Sequence, residues 1–212
     1  MMLGPNMIIA CPHCGFPAKI RTYFSWNTLG AVFWSDGKQV APMKPEIPAF
    51  VFCRKCNNLY WIKDAKEICE EKNFKSFYSH LEEPRYIEFP SFMQFPMALE
   101  IIENKKYVRI EMLYCFNNLI RKKKESEITP DMQKIHEANL YALIDLFDEN
   151  NENELIMKAE VYRNLGLFEK SITLLEKLNN PKLSLIKEKF LTEIKRNNKK
   201  LFKLFGPVYG YR

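Results

Sequence analysis

The sequence contains few glycines and few histidines, and it lacks the motifs that these residues usually complete. Seven glycines are spread over 212 residues. None belongs to a phosphate-binding G-x-x-x-x-G-K-S/T loop, a dinucleotide-binding G-x-G-x-x-G turn or a G-x-S-x-G nucleophile elbow. The three histidines, His13, His80 and His136, show no H-E-x-x-H spacing. The motifs of common nucleotide-binding and hydrolytic enzymes are therefore absent, and we expect a protein that is not an enzyme.

Long apolar runs are also absent. No stretch of 18 apolar residues occurs, so the sequence predicts no membrane-spanning helix. The first residues include no basic n-region, and the apolar run at residues 7–10 is too short for the core of a signal peptide. We therefore expect a cytoplasmic protein. Apolar residues make up 47% of the chain and charged residues 27%, which is typical of a folded domain rather than a disordered chain.

Arginine is scarce relative to lysine. The chain has 8 Arg and 24 Lys against 26 acidic residues, which gives a formal net charge of +6. Arginine is favoured where bases or phosphates are gripped bidentately, whereas lysine is more often a solvated surface charge. Residues 1–66 hold 8 basic and 3 acidic side chains and so carry +5 of the total. The sequence therefore predicts that any nucleic-acid contact is made by this N-terminal part.

Four of the six cysteines form two C-x-x-C pairs, which we call the first and second knuckle: Cys11 with Cys14, and Cys53 with Cys56. In a reducing compartment such pairs are better interpreted as metal ligands than as disulfides. Gly15 and Asn57 follow the knuckles, and these two residue types adopt left-handed backbone most readily. Four thiolates in a tetrahedron favour zinc. We therefore predict one structural Zn²⁺ per chain.

The same cysteines allow three other interpretations: an iron centre, a redox pair, and core cysteines without a ligand, although four of them at this spacing would be a coincidence. A rubredoxin-type iron centre has the same four thiolates, and ligand identity alone does not separate it from zinc. A thioredoxin-like redox pair would need a βαβ context, which the flanking sequence lacks. A closed set of four ligands leaves no open coordination position, so the metal is expected to stabilise the fold rather than catalyse a reaction. Cys69 and Cys115 are interpreted as buried thiols on helices.

The residues around and between the knuckles are typical of strands. Strand formers occur at 18–24, 31–34, 39–43, 50–52 and 59–62, and Asp36-Gly37 is a hairpin turn signal. The 38 residues between the knuckles exceed the gap in short zinc ribbons, so an inserted hairpin is expected to fill it. The pattern predicts a zinc-ribbon domain over residues 1–66, built on a small antiparallel sheet.

The rest of the chain is predicted to be helical. A short helix is expected over 64–71, followed by a proline-punctuated stretch at 82–96 within a connecting segment that covers 67–96. Helices are predicted near 97–103, 105–124, 131–148, 153–165, 168–178 and 181–196 from apolar residues at helical spacing. The predicted fold class is α+β: a zinc ribbon, a connecting segment and an antiparallel helical array over 97–212.

One stretch of the helical part resembles a tetratricopeptide repeat. It contains small residues at Ala159 and Ser171, a helix-ending Gly166 and a closing Pro181. It departs from the repeat pattern near the end of its second helix, where a leucine replaces the usual small residue. A lone repeat cannot bury its own face, so neighbouring helices would serve as degenerate repeats. An ordinary αα-hairpin within a bundle is the alternative.

The N-terminal motifs also resemble a group of proteins. Between Cys11 and Trp61 the chain contains Trp34-Ser35-Asp36-Gly37-Lys38 and Ala41-Pro42-Met43, and together with the knuckles these runs resemble a family of uncharacterised bacterial zinc-ribbon proteins. Members look like an N-terminal zinc ribbon followed by a helical, repeat-like half. The resemblance covers about the first 65 residues. It implies zinc at the four cysteines and brings no known activity.

Aromatic residues alternate with cations in the predicted ribbon, and this pattern allows two kinds of partner. Stacking on bases above a basic groove is one use, and packing in the core or against a protein is the other. The candidate contact residues are Lys19, Arg21, Trp34, Lys38, Arg54, Lys55 and Trp61. We expect a non-enzymatic zinc-binding adaptor or scaffold that mediates protein–protein interaction. The alternatives are a nucleic-acid-binding zinc ribbon and an enzyme with a site between the two halves; the sequence predicts no oligomeric state.

Two further charged stretches are expected to be structural. Residues 121–124 are four consecutive cations at the end of a predicted helix, where positive charge complements the helix dipole and is solvated. The segment 199–207 alternates lysines with leucine and phenylalanine. Its apolar side chains are expected to pack on the helical bundle, with contact to a membrane surface as the alternative.

Overall fold

The computed structural model describes residues 1–78 and 82–208; His80 and the last four residues lie outside the described part. The fold belongs to the predicted α+β class, with small antiparallel sheets and, within the described residues, seven α-helices. The chain divides into two compact units. Unit 1 comprises Met1–Thr28 and Ala41–Gln94, and unit 2 comprises Leu29–Val40 and Phe95–Arg212.

The strands are, in chain order, β1 (Met2–Leu3), β2 (Met7–Ala10), β3 (Pro17–Ile20), β4 (Tyr23–Ser25), β5 (Ala31–Trp34), β6 (Gln39–Val40), β7 (Phe50–Phe52), β8 (Leu59–Trp61), β9 (Lys66–Glu70) and β10 (Lys203–Val208). The α-helices are α1 (Glu71–Phe77), α2 (Phe95–Ile101), α3 (Lys105–Arg121), α4 (Pro130–Ile144), α5 (Glu152–Leu165), α6 (Phe168–Glu176) and α7 (Ser184–Lys195).

The division into units cuts through the segment predicted as one ribbon domain. Residues 29–40, which form the hairpin of β5 and β6, group with the helices in unit 2. The sequence on both sides of this hairpin belongs to unit 1, so the chain leaves unit 1 and returns to it between the two knuckles. The hairpin expected to fill the ribbon therefore packs with the helical part.

Unit 1 is built from three small sheets. Strand β2 pairs antiparallel with β3 and with β9, β7 pairs with β8, and β1 pairs with β4. Ile8 and Ile9 in the central strand β2 are buried. Residues 85–87 pair with the outer edge of β3. The N–H of Lys19 donates to the carbonyl of Arg85 at 2.8 Å, and the N–H of Ile87 donates to the carbonyl of Lys19 at 2.9 Å.

The helix predicted over residues 64–71 is wrong. Lys66–Glu70 is strand β9, in which Cys69 lies opposite Ile8 of β2, and helix α1 begins only at Glu71. The side chains of this stretch permit a helix, but pairing with the edge of β2 satisfies its backbone groups and decides its conformation. Cys69 is thus a partly buried thiol on a strand.

The helices of unit 2 occur close to their predicted positions. Local signals set several of their ends: the Oγ1 of Thr129 accepts from the N–H of Met132 at 3.2 Å before α4, and Gly166 stops α5 with a φ of 79°. Such caps satisfy backbone groups that the helix itself leaves unpaired. Residues 181–183 form a separate 3₁₀ turn, so α7 begins at Ser184 rather than at Pro181.

Small residues bring α5 and α6 together. Ala159 and Ser171 are fully buried, and the Oγ of Ser171 donates to the carbonyl of Ala159 at 2.8 Å. The apolar cluster around this crossing includes Phe190 of α7 and Leu204 of β10. The C-terminal segment therefore packs on the helices as predicted, and it does so as a strand, since β10 pairs with β5.

Among the described residues, no helix combines the length and the apolar character that crossing a membrane requires.

Candidate metal centre

The four knuckle cysteines converge in unit 1. Their Sγ atoms all lie within 4.8 Å of one another. The Sγ–Sγ distance is 3.7 Å between Cys14 and Cys53 and 3.9 Å between Cys11 and Cys56. Zn–S bonds of about 2.3 Å in a tetrahedron place two sulfurs about 3.8 Å apart. The spacing therefore fits one tetrahedral ion held by all four residues, and a thiolate iron centre would use the same ligands.

The two knuckles have the same backbone structure. The first connects β2 to β3 and the second connects β7 to β8. In each, the carbonyl of the leading cysteine accepts from the N–H four residues later: Gly15 to Cys11 at 2.8 Å and Asn57 to Cys53 at 2.9 Å. Gly15 has a φ of 70° and Asn57 a φ of 56°, as the sequence predicts. This turn directs both sulfurs of a knuckle to one point.

Burial divides the ligands into two kinds. Cys11 and Cys53 are 2% and 5% exposed and belong to the apolar core of unit 1, whereas Cys56 is half-buried and Cys14 is exposed. Burial raises the pKa of Cys11 to about 12. A hydrogen bond from the backbone N–H of Asn58 lowers the pKa of Cys56 to about 7. A bound cation holds coordinating thiols as thiolates, so metal binding would release protons.

His13 lies inside the first knuckle, but its side chain contacts strand β8. Its Nε2 lies 3.0 Å from the carbonyl oxygen of Leu59, and as an N–H it donates a hydrogen bond that ties the first knuckle to β8. The N–H of Lys55 donates to the Sγ of Cys53 at 3.4 Å. Such bonds fix the orientation of a ligand and disperse the charge of its sulfur.

A cleft of about 710 Å³ opens beside the metal centre within unit 1. Cys14 and Cys53 contribute to its lining, whereas Cys11 and Cys56 do not. Charged side chains of both signs surround the two thiols: Arg54, Lys55, Arg85, Glu82, Glu83 and Glu88. Two of the four ligand residues, the exposed Cys14 and the buried Cys53, thus belong to the wall of one cleft.

The predicted contact residues are divided between the two units. Trp34 and Lys38 belong to unit 2, whereas the other five lie in unit 1: Lys19, Arg21, Arg54, Lys55 and Trp61. The Nζ of Lys38 donates to Asn118 at 3.4 Å, and Arg121 lies over the ring of Trp34. In this placement Trp34 and Lys38 anchor the β5–β6 hairpin to α3.

Ion pairs hold two of the four cations of unit 1 that the sequence assigns to nucleic acid. Lys19 pairs with Glu71 and Arg54 pairs with Glu88. The ion pair with Glu71 raises the pKa of Lys19, and the same contact lowers the pKa of Glu71. Unit 1 contains 10 basic and 8 acidic residues, a formal charge of +2, and unit 2 contains 22 and 18, a formal charge of +4. Within unit 1 the acidic residues of 67–94 therefore offset much of the basic excess of the N-terminal part.

Sequence reasoning missed a second cluster of polar residues, which lies in unit 2. Asp36 is fully buried. Its Oδ2 accepts from Asn117 at 2.8 Å and pairs with the guanidinium of Arg121. Arg121 was expected among solvated cations at a helix end, yet its side chain is 5% exposed. The Asp36-Gly37 pair indicates a turn, and a turn signal does not reveal that the Asp36 side chain is buried.

Glu160 and Arg163 extend this network along α5, and both are fully buried. Glu160 accepts from the Oγ of Ser35 at 2.7 Å and from the Nε of Arg163, through its other oxygen, at 2.8 Å. Arg163 also donates to the carbonyl of Lys200 at 2.9 Å. Burial raises the pKa of Glu160. The network joins the β5–β6 hairpin, α3, α5 and the segment before β10, so its role in the described structure is to hold unit 2 together.

Comparisons with protein-family models, with curated proteins and with solved structures find no match to this chain.

Proposed function

We propose that this chain is a non-enzymatic adaptor whose N-terminal part is a zinc ribbon, with one structural Zn²⁺ bound by Cys11, Cys14, Cys53 and Cys56. The observation that carries the proposal is the convergence of four sulfurs from two knuckles of identical backbone structure. Four thiolates complete the coordination of zinc and leave no position for substrate. The metal supplies folding free energy to a unit with a small apolar core.

The helical part would serve as a scaffold of tetratricopeptide-like character. Support comes from the close packing of α5 on α6 at Ala159 and Ser171 and from the left-handed Gly166 between them. Stacked helical pairs of this kind present extended surfaces to other proteins. The exposed apolar residues Tyr141 and Leu185, each about half-exposed, are available on this part of the chain.

A protein partner would also find apolar side chains on the sheet of β1 and β4 in unit 1. Met2, Leu3, Phe24 and Trp26 are all more than half exposed, and Phe24 reaches 71%. Exposed apolar side chains that lie close together on a monomer often meet another molecule, and antiparallel pairing brings β1 beside β4. We assign the partner contact to this β1–β4 face.

Metal content tests the zinc site. Elemental analysis of the purified chain should give about one zinc per molecule. Cys53→Ser should lose the metal, whereas Cys69→Ser, which alters a thiol on β9 outside the cluster, should keep it. Equal zinc content in both variants would contradict the assignment.

Retention of a partner tests the adaptor role. The wild-type chain, a Phe24→Ser/Trp26→Ser variant and a Leu185→Ser variant of α7 are used as bait in an extract of the native host, with the exposed Ile47→Ser as the matched control. A protein retained by the wild type, by Leu185→Ser and by the control, and lost with the double variant, supports the β1–β4 face. Loss with Leu185→Ser alone would move the contact to the helices.

The two alternatives remain predictions. A nucleic-acid-binding ribbon is not favoured, because Lys19 and Arg54 are ion-paired and unit 1 has a formal charge of only +2. An enzyme with a site between the two halves stays a hypothesis that substrate screening would have to support.

A further inference from the structure

The four sulfurs of the metal centre differ in their access to solutes. Cys11 is 2% exposed and does not line the cleft of unit 1. Cys56 is half-buried and lies outside the cleft lining as well. Cys14 is exposed, and both it and Cys53 line the cleft. The cleft wall therefore contains the exposed Cys14 and the buried Cys53, and of these two Cys14 is the one open to a small solute.

These two sulfurs are also neighbours. The 3.7 Å between the Sγ atoms of Cys14 and Cys53 joins the first knuckle to the second. A disulfide bond of about 2.0 Å requires the two atoms to approach by less than 2 Å. Because each knuckle sits between the strands of its own hairpin, a small rotation of one hairpin against the other is enough.

We propose that Cys14 is a site of oxidative modification, at which a peroxide starts formation of a Cys14–Cys53 disulfide that expels the metal. This inference rests on the proposed zinc site. The Cys14 thiolate attacks one peroxide oxygen, the O–O bond breaks, and hydroxide leaves a sulfenic acid on Cys14. The Cys53 thiolate then attacks that sulfur and displaces a second hydroxide. Two thiolates lose two electrons in total, and one peroxide becomes two hydroxides, which take up protons to form water.

The metal is lost because the disulfide leaves too few ligands to hold it. A disulfide removes two of the four thiolates, and Cys11 and Cys56 alone do not complete a tetrahedral zinc site. The new bond nevertheless keeps the two hairpins linked in place of the metal. A dithiol reductant reverses the reaction by thiol–disulfide exchange and restores the four ligands.

The test uses the full zinc-loaded chain, with Cys69→Ser as the control variant. Zinc is measured before treatment, hydrogen peroxide is added, released zinc is followed with a chromogenic chelator, and free thiols are blocked with N-ethylmaleimide. Trypsin separates Cys53 from Cys56, since Arg54 and Lys55 lie between them. Cys11 and Cys14 share the peptide of residues 1–19, and fragmentation shows which of them carries the maleimide.

We expect about one zinc released for each disulfide formed, with Cys14 linked to Cys53 in the first product and zinc uptake restored by dithiothreitol. Cys69→Ser should release zinc at the wild-type rate. A first product that links any of the other five pairs among the four cysteines would overturn the inference, as would a Cys14–Cys53 disulfide that leaves zinc bound. Absence of zinc before treatment would instead contradict the proposed zinc site, while the disulfide map would still test the pair.

Discussion

Asp36 and Arg121 form an ion pair inside unit 2, with side-chain exposures of 0% and 5%. Asp36 lies in the turn between β5 and β6, and Arg121 is the last residue of α3. Removing two charges from water is costly, and the cost is offset only when their geometry and remaining hydrogen bonds are good. Here Asn117 supplies a further bond to the carboxylate. The pair fixes where the β5–β6 hairpin docks on the helix.

Breaking this pair should destabilise unit 2 strongly. We expect Asp36→Asn to lower the free energy of unfolding by about 3–5 kcal/mol, because Arg121 is then buried without a compensating charge. Urea unfolding followed by tryptophan fluorescence measures the change, since Trp34 lies on the same hairpin.

An exposed pair provides the matched control. Lys124 and Glu127 are each about half-exposed, and Glu127→Gln should cost at most about 1 kcal/mol. In a double-mutant cycle, Asp36→Asn with Arg121→Met should cost less than the sum of the single changes. Additive costs would show that the two residues do not stabilise each other.

Acid should destabilise unit 2 through His136. Its ring stacks on Phe116 with centroids 3.7 Å apart, its Nδ1 is buried without a partner among the described atoms, and burial lowers its pKa to about 4. The unfolded chain has a histidine pKa near 6.5 and takes up the proton first. Stability is therefore retained above about pH 6.5 and lost as the pH falls toward 4.

His136→Phe tests this dependence, because it keeps a ring on Phe116 and removes the titrating group. Between pH 7 and pH 5 the variant should lose about 2 kcal/mol less stability than the wild type. Glu137, Lys199 and Lys200 also line the neighbouring cavity and remain in both proteins. If the free energy of unfolding changes equally with pH in both proteins, His136 is not the group responsible for the loss of stability in acid.

Gly206 should tolerate no side chain. A Cβ at this position would lie 2.4 Å from the carbonyl oxygen of Ala31 and 2.8 Å from the Cα of Val32, and its φ is 112°. Backbone atoms of the paired strand β5 cannot move aside without breaking the ladder, so Gly206→Ala should cost about 1–3 kcal/mol or more. Thermal and urea unfolding measure the loss.

Gly37→Ala measures the cost of the left-handed backbone without the steric clash expected at Gly206. Its φ is 82°, but the nearest atoms to an added Cβ are those of Met157 at 3.6 Å. Gly37→Ala should therefore cost less than Gly206→Ala. Equal losses would show that the close approach of β10 to β5 carries no penalty.

The cations of unit 1 should not support nucleic-acid binding at physiological salt. Because Lys19 and Arg54 are held in ion pairs, we expect no mobility shift of single-stranded DNA or RNA at about 0.15 M salt. A shift that disappears in a Lys19→Ala/Arg54→Ala variant, and persists in a Lys122→Ala/Lys123→Ala control, would restore the nucleic-acid alternative.

Local patterns made the knuckles and most helices predictable. The C-x-x-C spacing and the left-handed tendency of Gly15 and Asn57 act within a few residues, as does the helix-ending signal at Gly166. The same reasoning placed the apolar C-terminal segment against the helices. It could not place that segment as strand β10, because its partner β5 lies far away in sequence.

Non-local pairing explains the remaining differences. Lys66–Glu70 becomes β9 because β2 offers a free edge, which the composition of the stretch does not reveal. The burial of Asp36 depends on Arg121 and Asn117, which lie in a different part of the chain. The two-unit division arises in the same way, since the β5–β6 hairpin follows its contacts with the helices rather than its position between the knuckles.

The metal centre is the central claim, and X-ray absorption at the zinc edge of the purified full chain tests it most directly. The account predicts about one zinc per chain surrounded by four sulfur atoms at about 2.3 Å, with no nitrogen or oxygen ligand. A folded chain without zinc, or a zinc shell that contains oxygen or nitrogen in place of sulfur, would contradict it.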